Sequence, residues 1–241
     1  MTLNNTLTRR ASLALIAGAA GSAALAQSTD FDAVALKEFS LGAEDAPIEV
    51  IEYASYTCPH CASFHSDVFP ELKANYIDTG KIRFTFRPVY FDGPGLWADM
   101  LARCTGNTDK YFGIAGILFE RQAEWSRAGS QEGVAEGIVS VGRQAGLDEE
   151  TVLACLQDND KAKALVADFQ INAERDGVTA TPSFMIDGEL VSNMSYASFA
   201  QILNDKMAPI YAGLTDKDKR LCELMETPMR AGGEPIFCPE N

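Results

Sequence analysis

The first clear pattern along the chain is Ile48-Glu49-Val50-Ile51-Glu52-Tyr53. This β-branched run alternates in part between apolar and polar residues, which predicts a strand. From Cys58-Pro59 onward the period lengthens. Phe64, Val68, Leu72 and Tyr76 recur four residues apart, predicting a helix with one buried face. Pro59 suits the first helical position, where its fixed φ fits and no N–H is needed. Thr79-Gly80 stops the helix, and Ile82–Arg87 alternates strictly as a second strand. Residues 48–87 thus predict β-α-β, a parallel pair joined by a crossover helix.

Between 95 and 176 strand signals vanish and helical periodicity takes over, with candidate helices at 95–104, 109–124, 132–145, 148–157 and 160–176. Asp148, followed by Glu149-Glu150, is a suitable N-cap, and Gly146 suits the end of the preceding helix. Strands then return. Ser183–Ile186, an Asp187-Gly188 turn and Glu189–Val191 predict a hairpin, and 195–212 is helical again. Residues 27–46 form a polar lead-in ending in the turn Asp45-Ala46-Pro47. Residues 213–241 are expected as a tail with a charged run at Asp216–Arg220 and scattered Pro and Gly.

The first 26 residues are expected to be a signal for export. Arg9 and Arg10 precede a short Ala- and Gly-rich apolar run, and Ala24-Leu25-Ala26 offers the small residues of a cleavage site before Gln27. The run is too short and too weakly apolar to span a bilayer comfortably. Thr8-Arg9-Arg10-Ala11-Ser12-Leu13 is also compatible with a twin-arginine signal, so the export route stays open.

Of 241 residues, 46% are hydrophobic and 22% charged, which suits a folded core rather than wholesale disorder. A net charge of −14 argues against nucleic acid or an anionic membrane surface as partner. All six cysteines follow the expected leader, and an even number in an exported chain suits disulfides.

The chemistry concentrates at Cys58-Pro59-His60-Cys61. At a strand-to-helix junction, free N–H groups and the helix dipole favour a thiolate at Cys58. His60 is placed to add a hydrogen bond or positive charge. Zinc binding through a knuckle would require a second such pair, which the chain lacks. Glu52, six residues earlier, is a candidate to take the proton of Cys61 or tune its pKa, unless it simply faces solvent. Thr181-Pro182 precedes the later strand; a cis peptide there would expose the Thr181 backbone to a substrate peptide.

These residues resemble the thioredoxin superfamily, and within it the DsbA family of exported thiol oxidases. The resemblance rests on IEYASYTCPHC at 51–61, the helical stretch at 95–176 and TPSF at 181–184, and covers roughly residues 40–212. It implies an α/β thioredoxin-like fold with a helical insertion between the βαβ half and the cis-proline hairpin half. It also implies that Cys58 is the nucleophile, Cys61 the resolving thiol, His60 the stabiliser of the Cys58 thiolate, Glu52 the buried acid and Pro182 the cis-proline. No cofactor or metal is implied. Expected partners are reduced, unfolded exported proteins and a membrane quinone reductase resembling DsbB, with the enzyme acting in the periplasm as a monomer. Thr181 stands where the best-known members carry Val and is found in isomerase-type relatives, so a reductase or isomerase remains an alternative.

Cys104 and Cys155 are expected to form a disulfide between two helices, as in some members of the family, although two separate buried thiols would also fit. The bridge would be worth roughly 4 kcal/mol by the chain-entropy model. Cys222 and Cys238 are then left to staple the tail. His65, one helical turn past Cys61, opens a third reading with Cys58 and Cys61 as a copper or zinc site, but it is expected to be an ordinary, partly exposed helix residue. Tyr90, Phe91 and Trp97 fit either the rim of the active site or helix packing.

Overall fold

Ile48–Ala54 is buried along its whole length except for Glu49, as a central strand covered on both faces must be. In the computed structural model, which describes residues 36–224 and Cys238, this strand is β2. It follows β1 (Phe39–Leu41) and leads to α1 (Pro59–Asp67), α2 (Phe69–Leu72), a π-helical turn at Lys73–Ile77 and β3 (Ile82–Pro88). Then come α3 (Gly93–Ala102), a 3-10 turn at Arg103–Thr105, α4 (Thr108–Glu120), α5 (Gln122–Trp125), α6 (Gln131–Gln144), α7 (Glu149–Leu156) and α8 (Asn159–Arg175). The hairpin β4 (Ser183–Ile186) and β5 (Glu189–Ser192) precedes α9 (Tyr196–Ala212) and α10 (Asp216–Leu224). The expected leader at 1–26 lies outside the described residues, as does most of the tail beyond 224.

The sheet order is β1-β3-β2-β4-β5. Strands β2 and β3 run parallel, with Val50 opposite Phe84 and Glu52 opposite Phe86. The other pairings are antiparallel. The fold is thioredoxin-like, with the helices α3–α8 inserted between its two halves. Ile48, Val50 and Ala54 join Phe84, Phe86, Phe184 and Phe199 in a core that continues into the insertion through Tyr111, Phe119 and Trp125. Ile51 and Tyr53 point the other way and pack with Val89, Phe169 and Val178. At the hairpin turn Asp187 and Gly188 both have positive φ, the geometry that joins two twisted strands in two residues.

Four local expectations change. The polar lead-in contains β1, whose Phe39 and Leu41 pair with Phe86 and Phe84 of β3. The single helix expected after Cys58 breaks at Val68. Pro70 has no N–H for the Ser66 carbonyl, and its ring crowds that turn. The buried stripe of Phe64, Val68, Leu72 and Tyr76 survives the break. The helix expected at 109–124 is likewise two, divided at Arg121 with φ −100° and ψ 16°. The charged run at 216–220 opens α10, with Leu214 and Asp218 buried, rather than lying in an irregular tail.

Caps and bridges fix the insertion. Asp148 accepts the Thr151 N–H at 2.8 Å. At the end of α6, Gly146 has φ +83°, and the N–H groups of Gly146 and Leu147 return to the carbonyls of Arg143 and Gly142. A disulfide joins Cys104 to Cys155, and another joins Cys222 to Cys238. Arg103, beside the first bridge, pairs with buried Asp99 at 2.6 Å and donates to the Lys37 carbonyl, tying α3 to the chain entering β1.

One helix contact that no side-chain movement can relieve is at Gly137 of α6. A Cβ there would lie 2.7 Å from the Trp125 Cβ and 2.9 Å from its Cα, so no rotamer change relieves it. Gly137→Ala is therefore expected to cost about 1–3 kcal/mol in chemical denaturation at fixed redox state. An unchanged midpoint would contradict this packing.

Candidate active site

The chain leaves β2 at Ala54, turns through Ser55–Thr57 and enters α1 at Cys58. Cys58 is the N-cap residue, extended at φ −83° and ψ 119°, with Pro59 next in the helix. Its N–H donates to the Ser55 carbonyl at 3.1 Å, and its own carbonyl accepts from Cys61 and Ala62. No side chain caps this helix start. Its backbone donors, which a Ser or Asp N-cap would otherwise engage, are left for the Cys58 sulfur.

The two sulfurs are unbridged and differ sharply. Cys58 is half-buried and Cys61 fully buried. A hydrogen bond from the Cys61 thiol is the main reason the Cys58 pKa falls from 9.0 to about 5; burial opposes it, and Thr181 and the backbone N–H groups of Cys61 and His60 reinforce it. The Cys61 pKa is pushed strongly upward by that same bond to Cys58, by burial, and by the negative charge of Glu52. Near neutral pH the reduced pair therefore holds one proton, on Cys61.

Thr181 closes the site from the start of β4. Its carbonyl lies 3.6 Å from the Cys58 sulfur, and the Thr181–Pro182 peptide is cis. The His60 side chain is exposed and makes no hydrogen bond to Cys58 among the described residues; its influence on the thiolate runs through the backbone. The expected imidazole contact is thus replaced by a main-chain one.

Glu52 is fully buried, on the face of β2 shared by Val50 and Ala54. One of its oxygens bonds His65 Nε2 at 3.0 Å, and the other has no hydrogen-bond partner. His65 turns to this carboxylate rather than to the two thiols. His65 is partly exposed, as expected, but its side chain is only 8% exposed, and its bond to Glu52 is not readable from sequence. Among the described residues no three His, Cys, Asp or Glu side chains converge as a metal site. Tyr90 bonds buried Asp99 at 2.6 Å and so belongs to the support of α3, whereas Phe91 is exposed.

Gln122, at the start of α5, reaches the site from the insertion, unanticipated from sequence. Its buried amide donates to the carbonyls of Tyr56 and Cys58 at 2.8 and 2.9 Å. Flanked by Glu120, Arg121 and Glu124, Gln122 gives no signal of its own in the sequence.

If the Cys61 hydrogen bond dominates, Cys61→Ala should raise the Cys58 pKa by more than about one unit, while His60→Ala moves it less. Thiolate absorbance against pH measures both. The reverse order would return the leading role to the imidazole.

A family model described as thioredoxin matches residues 35–205. A putative protein-disulfide oxidoreductase of Rickettsia bellii is 34% identical over 164 residues, 68% of this chain and 62% of that protein. Disulfide bond formation protein D of Bacillus subtilis is 29% identical over 162 residues, 64% of this chain and 70% of its own length. The chain spans 55–62% of the first three Rickettsia relatives. Among solved structures, alpha-DsbA1 of Wolbachia pipientis superposes with a TM-score of 0.68 at 27% identity, covering 74% of this chain and 95% of that one. With a reactive cysteine pair at the β2–α1 junction, a cis-proline facing it and these matches, the chain belongs to the thioredoxin family and is DsbA-like.

Proposed function

We propose that the chain is an exported protein dithiol:disulfide oxidoreductase that donates its Cys58–Cys61 disulfide to reduced substrate proteins. The observation that carries this reading is the stabilised Cys58 thiolate beside a buried, protonated Cys61. A substrate thiolate attacks the Cys58 sulfur, and Cys61 leaves and takes up a proton. The second substrate thiol then gives its proton to solvent and attacks the substrate sulfur of the mixed disulfide, expelling the Cys58 thiolate. Two electrons pass to the enzyme and one disulfide to the substrate. A stabilised leaving thiolate makes this direction favourable. In the reverse sense, Cys61 resolves the mixed disulfide.

The backbone of partly exposed Thr181 would offer substrate an added-strand contact beside Cys58. Reoxidation is assigned to a membrane quinone reductase resembling DsbB, by family resemblance. The basic n-region, apolar run and Ala-Leu-Ala site support export to the periplasm, and the two bridges away from the active site suit that compartment. Among the described residues no helix is long and apolar enough to cross a membrane. Glu52 would exchange a proton with Cys61, a role supported by the effect of its negative charge on that thiol.

In cells, Cys61→Ser should accumulate mixed disulfides through Cys58, and Cys58→Ser should abolish thiol oxidation. Adducts recovered through Cys61 in a Cys58→Ser variant would reverse the assignment. Equilibration of the pair with glutathione separates the directions: an oxidising potential supports the oxidase, and a value near that of thioredoxin supports a reductase.

A further inference from the structure

The redox cycle needs a proton where water does not reach. When the Cys58–Cys61 disulfide is reduced, Cys58 remains a thiolate and Cys61 becomes a thiol, so one proton enters a fully buried position. It must leave again when the disulfide re-forms. Glu52 can exchange that proton with Cys61, yet Glu52 is fully buried as well. Its unpartnered oxygen is costly to bury unless it has a use.

We propose that His65 is the proton relay of this site, carrying the proton between Glu52 and the cleft between α1 and α4. The proposal rests on the redox reading of the cysteine pair. His65 bonds Glu52 at 3.0 Å through Nε2 and also lines that cleft, which holds about 560 Å³ and is bordered by Ser63, Ser66 and Glu120. An imidazole can accept a proton at one nitrogen and release one from the other. Aromatic rings hold it in place: Phe119 stacks on it at 4.0 Å, Phe69 lies tilted at 5.0 Å, and Phe64 and Phe86 meet it edge-on. The titratable groups around it are Glu52 from β2, Cys61 from its own helix and Glu120 from α4; β3 and α2 present Phe86 and Phe69.

On disulfide formation the S–H bond of Cys61 breaks and an O–H bond forms on Glu52. The freed electron pair of Cys61 attacks the Cys58 sulfur and expels the substrate thiolate, which takes a proton from solvent. Glu52 passes its proton along the hydrogen bond to Nε2 of His65, and Nδ1 releases one to water in the cleft. Reduction runs the same path inward. His65 acts through Glu52 and is a positioning and relay residue, not a group that touches the reacting sulfurs.

The test separates two steps in the reaction of the full reduced chain with oxidised glutathione, followed across pH: mixed-disulfide formation at Cys58, then resolution by Cys61. In His65→Phe and His65→Gln, the first step should stay within about twofold of wild type and the second slow about tenfold or more, with an altered pH profile. Added imidazole should restore resolution in His65→Ala, which opens the site to the cleft; this keeps the test informative if the larger replacements disturb folding. Wild-type resolution in His65→Gln, which keeps an N–H for Glu52 but cannot pass a proton on, overturns the relay. So does a failure of imidazole to act on His65→Ala. Absence of any mixed disulfide at Cys58 in the wild type instead sinks the redox reading, and the relay with it.

Discussion

One hydrogen bond organises this site: the buried Cys61 thiol donates to the Cys58 sulfur. It lowers one pKa and raises the other, so a single proton is shared very unequally between two sulfurs. Everything nearby preserves that asymmetry. The helix start brings main-chain donors to the outer sulfur, whereas burial and the Glu52 charge keep the inner one protonated. A half-buried thiolate beside a closed-off thiol is reactive toward other proteins and still able to recover its own disulfide.

The fold contributes by converging on a short turn. The β2–α1 junction supplies the helix start, and the hairpin half places Thr181 against Cys58. The helical insertion reaches in through Gln122, whose amide holds the carbonyls of Tyr56 and Cys58. It also supplies Phe119, stacked on His65. The insertion is therefore part of the redox site, and its own rigidity bears on that site. That rigidity comes from the Cys104–Cys155 bridge, the buried Asp99–Arg103 pair and the close approach of Gly137 to Trp125.

Much of this arrangement is legible in sequence because it depends on local periodicity. Alternation marks β3, a four-residue stripe marks α1 and α2, and Asp187-Gly188 marks the hairpin. The cysteine spacing at a strand-to-helix junction locates the redox pair. The three residues of β1 are too few to display a period. The division at Arg121 is a local loss of helical geometry within an apolar pattern that continues across it. Period-two counting puts Glu52 on the inner face with Val50 and Ala54. The helical turn puts His65 above Cys61. Their meeting depends on how two elements pack, which neither pattern contains. Gln122 contacts residues more than sixty positions away, so only the assembled fold reveals it.

The central claim is that the folded protein stabilises the Cys58 thiolate, and it is tested by the stability of the reduced chain against the oxidised one across pH. A folded pKa of about 5 against 9.0 stabilises the reduced form fully above the unfolded value, and that contribution is lost as pH falls through about 5. The oxidised form has no thiolate to stabilise. Its disulfide closes only the short Cys58–Cys61 loop, so its restraint on the unfolded chain is small beside that of a long loop. With Cys104–Cys155 intact in both samples, the reduced protein should unfold at the higher temperature near neutral pH, and the difference should shrink toward pH 5. An oxidised form that is the more stable at neutral pH, or a difference that ignores pH, would contradict the account.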